Sequence, residues 1–318
     1  MRRWIRIIFI SLLLAGGAVL CVVRWQAWFG MPAEPQWTGD TLRYVFPTPL
    51  AYSQQWSEQE DYTILVLGDI HNRLTRADYD TLAARVPQAD ALAQAGDWMD
   101  RGQEYYYQLL LREWTNSALY GMPVIACPGN HEYSKGLKKE LSPVWSKAFV
   151  VLYNGPTDVP GATYYEDLPG MRFIVIDTNP LDRLAYLTRT LTWLRKIING
   201  ADNRYIVVMM HHPVLSAGRG RFNVLIYAAF RHVLKDADLV IAGHDHSYMR
   251  SKNFVVLNAA GIPKKQHSCP YADVTDSVPT YGVLTIQKAM TDMPQAMNFK
   301  VHRFCDGAII DSLHVQHD

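Results

Sequence analysis

A chain of 318 residues, 49% apolar and 19% charged, can bury a full core and has room for one large domain or two small ones. Its net charge of +1 excludes the basic footprint of a nucleic-acid-binding protein, so no nucleic-acid partner is expected. The basic pairs Lys138-Lys139 and Lys264-Lys265 read as solvated surface.

The chain opens with Arg2, Arg3 and Arg6, followed by an apolar run from Ile7 to Val23. Seventeen residues at ~1.5 Å rise give ~26 Å, enough to cross a thin hydrocarbon core. Basic residues stay on the cytoplasmic side, which puts the rest of the chain outside. Trp25 and Trp28 suit the far interface, with Arg24 snorkelling among them. Residues 1–30 are therefore expected to be a single-pass signal-anchor in the cytoplasmic membrane. The alternative is a cleaved signal peptide, with Gly16-Gly17-Ala18 as the small-residue stretch and a secreted or periplasmic product. Cys21 follows Leu20 and not a small residue, which makes a poor lipoprotein site.

Residues 31–60, rich in Pro, Gln and Trp, read as a linker that wraps onto the domain formed by residues 61–318. From Asp61 onward, short apolar runs are expected as doubly covered strands. They are Thr63–Leu67, Ala91–Ala95, Val124–Cys127, Phe173–Ile176, Ile206–Met210 and Leu239–Ala242. Helical spacing of apolar residues predicts helices over Ala77–Val86, Gln103–Asn116, Leu191–Ile198 and Asn223–Leu234. Alternating strand and helix argue for an α/β layered domain. The tail segments Tyr281–Gln287, Asn298–Phe304 and Ile309–Val315 alternate like antiparallel strands, with Asp306-Gly307 as a hairpin turn. Of the four cysteines, Cys269 and Cys305 either pair in an oxidising compartment or stay as two free thiols.

Five of the six buried runs end in polar residues of one chemical type. These are Gly68-Asp69-Ile70-His71, Gly96-Asp97-Trp98-Met99-Asp100-Arg101-Gly102, Gly129-Asn130-His131-Glu132, His211-His212-Pro213 and Gly243-His244-Asp245-His246. Six of the 11 histidines fall in these motifs. Ligand sites in open α/β sheets form at the carboxyl ends of strands, so the five motifs should converge on one rim. Carboxylates, imidazoles and an amide oxygen, without thiolate, suit Zn, Mn or Fe. There are too many candidate ligands for one ion; they suit two ions sharing a carboxylate, a combination that supports displacement at phosphorus.

The motif series, in this order from Thr63 to about Arg250, resembles the calcineurin-like metallophosphoesterase superfamily. His211-His212-Pro213-Val214 and His244-Asp245-His246-Ser247-Tyr248 further resemble its bacterial purple-acid-phosphatase-like branch. Two departures matter. True purple acid phosphatases carry Tyr three residues after the bridging Asp, where this chain has Asp100, and they lack the first-motif histidine present here as His71.

The resemblance implies an α/β four-layer sandwich: two packed mixed β-sheets flanked by helices, with a dinuclear metal site at the strand C-terminal ends. It implies that Asp69, His71 and His246 hold one divalent metal ion (Mn, Zn or Fe), and that Asn130, His211 and His244 hold a second. Asp97 would bridge them, and a metal-bound hydroxide would attack phosphorus. His131 would protonate the leaving oxygen, Asp100 would orient His131, and Arg101 would contact a phosphate oxygen. His211, nearer the strand end, is preferred over His212 as the ligand. Glu132 reads as a structural carboxylate. Asp177-Thr178-Asn179 reads as a turn and cap cluster near the rim. Tyr105-Tyr106-Tyr107 reads as a mixture of core and surface, and Gly218-Arg219-Gly220-Arg221 reads equally as an anion-meeting loop or plain surface. His232, His267, His302, His314 and His317 read as ordinary.

The expected function is hydrolysis of small-molecule phosphomonoesters outside the cytoplasm. The alternative is a phosphodiesterase or pyrophosphatase acting on a nucleotide or lipid-linked substrate. A catalytically inactive, membrane-tethered binding module would carry the signature of a lost ligand, and none is lost.

Overall fold

The strands keep the two-residue period of a pleated sheet while burying both faces, and this builds the layers. The computed structural model describes residues 38–49, 61–134, 140–149, 154–156, 162–181, 183–202, 204–216, 224–258, 271–287 and 296–316. The chain divides between Gly39 and Asp40, and the layers belong to the unit from Asp40 to Asp318. The expected anchor, Lys138-Lys139, the Gly218–Arg221 loop, Lys264-Lys265, His267, Cys269 and His317 lie outside the described residues. Among the described residues, no helix is long and apolar enough to cross a membrane.

Two mixed sheets form. In the first, β1 (Asp61–Leu67), β2 (Ala91–Ala95) and β3 (Val124–Cys127) run parallel, with Ile64 opposite Ala91 and Leu92 opposite Val124. The second contains β4 (Tyr164–Leu168), β5 (Met171–Ile176), β6 (Tyr205–Met210), β7 (Leu239–Ala242), β8 (Tyr248–Ser251), β9 (Phe254–Val256) and β10 (Val274–Asp276). Its order is β10-β8-β9-β7-β6-β5-β4, with β5, β6, β7 and β9 parallel. The tail strands β11 (Thr280–Gln287), β12 (Ala296–Arg303) and β13 (Ile309–Gln316) return antiparallel to complete the first sheet as β13-β12-β11-β1-β2-β3.

Alternate residues of each strand then point to different cores. Ile64, Val66, Ala93, Ala95 and Ile125 face Phe173, Val175, Val207, Met209 and Ile241 between the sheets. Leu65, Leu67, Leu92, Val124 and Ala126 face outward under α1 (Arg76–Arg85), α2 (Glu104–Trp114) and α3 (Pro143–Ala148). Ile174, Ile176, Val208, Met210 and Val240 face outward under α4 (Leu184–Asn199) and α5 (Val224–Leu234). The result is the expected α/β four-layer sandwich. Phe46 joins the outer core of the first sheet, its ring 4.9 Å from Trp98 and 5.0 Å from Phe149. Burying such an aromatic contributes about 2–3 kcal/mol.

Polar groups also tie the edge strand β13 of the first sheet to β8 of the second. The Asp311 carboxylate on β13 accepts hydrogen bonds from Tyr248 Oη (2.7 Å) and Arg250 Nε (2.6 Å) on β8. Differences from the sequence expectation are local. α4 begins at Leu184 and not Leu191, and β4, α3 and β8 to β10 are additions to the expected elements. Ala91–Ala95 is a strand although it has no β-branched residue, because pairing on both sides decides it over propensity.

Candidate metal centre

All five motifs leave the carboxyl ends of parallel strands, three from the first sheet (β1, β2, β3) and two from the second (β6, β7). Aiming their side chains inward needs unusual backbone. His71 (φ 50°), Asp97 (φ 52°), His244 (φ 72°) and His246 (φ 52°) all sit in the left-handed region. Each costs about 1 kcal/mol, and such strain persists where the surroundings impose it, commonly at functional sites. The loops also approach too closely for side chains at several of their glycines, Gly96, Gly102, Gly129 and Gly243. A Cβ on Gly129 would lie 2.1 Å from Asp97 Oδ1, and one on Gly96 would lie 2.4 Å from His211 Nδ1.

The side chains meet in two adjoining clusters. In the first, His71 Nε2 lies 3.2 Å from His246 Nε2, which is 3.5 Å from Asp69 Oδ1. In the second, His211 Nε2 lies 3.1 Å from Asn130 Oδ1 and 3.2 Å from His244 Nδ1. Asp97 stands between them. Its Oδ1 accepts the main-chain N–H of His131, while Oδ2 is 3.2 Å from His211 Nε2 and 3.7 Å from His71 Nε2. Ligand atoms about 2.0–2.2 Å from a shared ion sit about 3.0–3.5 Å from one another, so the spacings within each cluster fit metal coordination, and the 3.7 Å from Asp97 to His71 is slightly longer. Asp69, His71, Asp97, His211 and His246 are buried. Groups drawn from them and from His131, His212 and His244 could each hold an ion. Oxygen and imidazole donors of this kind fit hard or borderline divalent ions.

Burial pulls the His71 imidazole down to about 4, a shift that the Asp97 charge only partly offsets. At neutral pH its ring is therefore in the uncharged form that ligates. Burial opposes protonation of His211 too, but the Asp97 carboxylate beside it, helped by Asp69, raises it to about 10. Burial pushes Asp97 up, yet His211, His131 and His71 together hold its carboxyl well below the usual range. His211 thus carries the proton that balances Asp97, in the place a cation would take. Burial, and then the charge of Asp97, push Glu132 up to about 7.

The surrounding residues fall into distinct roles. Glu132 Oε2 accepts the N–H groups of Asp97 (2.9 Å) and Gly129 (2.7 Å), and Oε1 accepts that of Met99 (3.0 Å). It is the structural carboxylate expected, joining the second and third motif loops. His131 is half-buried beside Asp97, with Nε2 3.9 Å from Asp97 Oδ2. Its Nδ1 lies 2.5 Å from the Asp100 main-chain carbonyl and 4.0 Å from the Asp100 carboxylate. Asp100 therefore holds His131 through its backbone, while its carboxylate lies 3.6 Å from His71 Nδ1. Arg101 is half-buried and forms no ion pair among the described residues. His302 and His314 bond to Gly307 and Asn298 on the tail hairpin, far along the chain from every motif.

The strand-end triplet Asp177-Thr178-Asn179 is more involved than a turn. Asn179 Nδ2 donates to the Pro128 and Gly129 carbonyls, bracing the third motif, and Thr178 bonds to His212. Its position at the end of β5, beside the motif-bearing strands, is the signal that marks it.

The profile of the family described as calcineurin-like phosphoesterase matches residues 62–248, which contain every motif. No curated protein sequence matches the chain. Among solved structures, the chain is similar to "GAP50 the anchor in the inner membrane complex of Plasmodium", with TM-score 0.58 and 15% identity, covering 82% of this chain and 90% of that one. It is also similar to the purple acid phosphatase PPD1 from yellow lupin seeds, with TM-score 0.58 and 13% identity over 82% of this chain, but it spans only 55% of that protein. At these identities the two likenesses show a shared fold alone. The family match covers more than half of the chain and coincides with the motifs that build the centre, so this chain belongs to the calcineurin-like phosphoesterase family.

Proposed function

We propose that this chain hydrolyses phosphate monoesters with two divalent ions, one held by Asp69, His71 and His246 and the other by Asn130, His211 and His244, with Asp97 shared. The observation that carries this reading is the position of Asp97 Oδ2 between His71 Nε2 and His211 Nε2, one ring from each cluster. When bound, the ions supply Lewis acidity toward the phosphoryl oxygens and lower the pKa of the attacking water.

The protein groups then divide the work. His131 donates Nδ1–H to the Asp100 carbonyl, which leaves Nε2 to hand a proton to the leaving oxygen from the imidazolium form. Arg101, with its guanidinium uncommitted among the described residues, contacts a phosphoryl oxygen. The resemblance to acid-phosphatase-like sequences favours monoesters over diesters. The arginine-flanked apolar run Ile7–Val23 supports a membrane tether, with the domain outside the cytoplasm.

A second reading, a tethered module that binds without turnover, is favoured by the likeness to GAP50, the anchor in the inner membrane complex of Plasmodium. The full complement of ligand side chains argues against it. The test is hydrolysis of a chromogenic phosphomonoester and phosphodiester by the purified protein with Mn or Zn. Monoester turnover abolished by chelator and by Asn130→Ala supports the first reading, and diester preference redirects it. Metal uptake without turnover of either ester supports the second.

A further inference from the structure

Two adjacent histidines leave β6, and their rings are wired in opposite senses. His211 Nδ1 lies 2.9 Å from the Ala95 carbonyl, which can only accept. Nδ1 therefore carries a proton, and Nε2 faces Asn130 and Asp97. His212 shows the reverse. The parallel register sets Ile176 opposite Met210, so two residues further on Thr178 stands beside His212. Thr178 Oγ1 accepts the His212 main-chain N–H at 3.2 Å and lies 2.6 Å from His212 Nδ1.

Thr178 is buried, and its hydroxyl has one proton to give. Among the described residues the acceptor for that proton is His212 Nδ1. Nδ1 thus accepts, and the proton of the neutral ring sits on Nε2. An Nε2–H is a hydrogen-bond donor, and it has no lone pair for a metal. The half-buried ring is next to the second cluster, its centroid 4.4 Å from that of His244, and one ring nitrogen each of His211, His212 and His244 lie within 4.8 Å of one another.

We propose that His212 is a substrate-binding residue whose Nε2–H donates to a phosphoryl oxygen of an ester at the second cluster, and that Thr178 is the positioning residue that sets its tautomer. This rests on the phosphoesterase reading, but the wiring is a property of the protein without substrate.

The experiment has two arms. In the first, the metal-free, 15N-histidine-labelled full chain is examined by long-range 1H–15N correlation, with His212 assigned by its loss in His212→Ala. The Nε2–H tautomer is expected in the wild type and in Thr178→Ser, and a mixture in Thr178→Val; an Nδ1–H tautomer in the wild type overturns the proposal. In the second, Mn-loaded protein is titrated with inorganic phosphate and assayed with p-nitrophenyl phosphate. His212→Ala and Thr178→Val are expected to weaken phosphate binding and raise KM by about 10-fold, with a smaller change in kcat and unchanged metal content. His212→Gln, whose amide nitrogen reaches the Nε2 position, and Thr178→Ser are expected to restore most of the loss. Unchanged phosphate affinity in His212→Ala, or loss of metal there, overturns the assignment. A wild type that binds phosphate through His212 but turns over no ester would instead sink the phosphoesterase reading.

Discussion

The Glu132 carboxylate accepts the main-chain N–H of Asp97 at 2.9 Å, fastening the residue shared by both clusters to the loop that presents Asn130 and His131. Two of its three amide donors share Oε2 and the third binds Oε1, so both oxygens are needed as acceptors. Glu132→Gln offers one oxygen and turns an NH2 group against an N–H. The expected loss is about 1–3 kcal/mol of stability, read as a lower urea midpoint, together with weaker metal retention. A variant as stable and as metal-rich as the wild type would show that the carboxylate does not organise these loops.

Gly129 is packed against Asp97. An alanine Cβ there would meet Asp97 Oδ1 at 2.1 Å and the Asp97 main-chain nitrogen at 2.3 Å, so both the carboxylate and the backbone that carries it have to move. Gly129→Ala is expected to lose metal and to reduce activity by about 100-fold or more. Gly121→Ala is the control. It has φ of 86° but its Cβ would meet nothing within 4 Å, so it costs about 1 kcal/mol of backbone strain and leaves metal content intact. Elemental analysis of both purified variants distinguishes crowding from strain.

Asp100 and His131 separate by substitution. Since the Asp100 carbonyl, and not its carboxylate, holds His131 Nδ1, Asp100→Asn keeps that contact. It is expected to lower kcat by less than about 10-fold, whereas His131→Ala is expected to lower it by about 100-fold or more. The gap should narrow for an ester with a good leaving group, which needs less protonation. Equal losses in the two variants would assign the orienting role to the carboxylate.

Acid stability should depend on Asp311. Burial pushes its carboxyl up, but hydrogen bonds from Arg250, Tyr248 and the Ser312 N–H outweigh that and hold it below its ordinary value. A carboxyl lowered by folding adds stability above its unfolded pKa of about 3.9 and loses it as pH falls through the folded value. Near pH 7, Asp311→Asn is expected to cost about 1–2 kcal/mol, limited by partial exposure of the pair. Thermal melts should show the gap between wild type and variant closing below about pH 4. A gap independent of pH would mean that the charge contributes nothing.

Much of this architecture is legible in the sequence because β1, β2, β3, β6 and β7 are buried on both faces, which selects short apolar runs, and because each ends in ligand residues. The strands that escape notice lack that signature. β4 carries Glu166 and Asp167 in its middle, and β8 to β10 are three or four residues long, too short to display a period. Partners set by the main chain are also hidden. No residue type reveals that Asp100 acts on His131 through a carbonyl. Nor does the sequence reveal that Thr178 meets His212, which follows from the β5–β6 register alone.

The number of ions held around Asp97 is the most direct test of a dinuclear centre. Elemental analysis of the Mn- or Zn-reconstituted chain, with phosphomonoester hydrolysis measured on the same samples, provides it. The prediction is two ions per chain, with Asp97→Ala losing both the second ion and turnover. One ion or none in a protein that still hydrolyses the ester, or turnover that survives chelation, would contradict it.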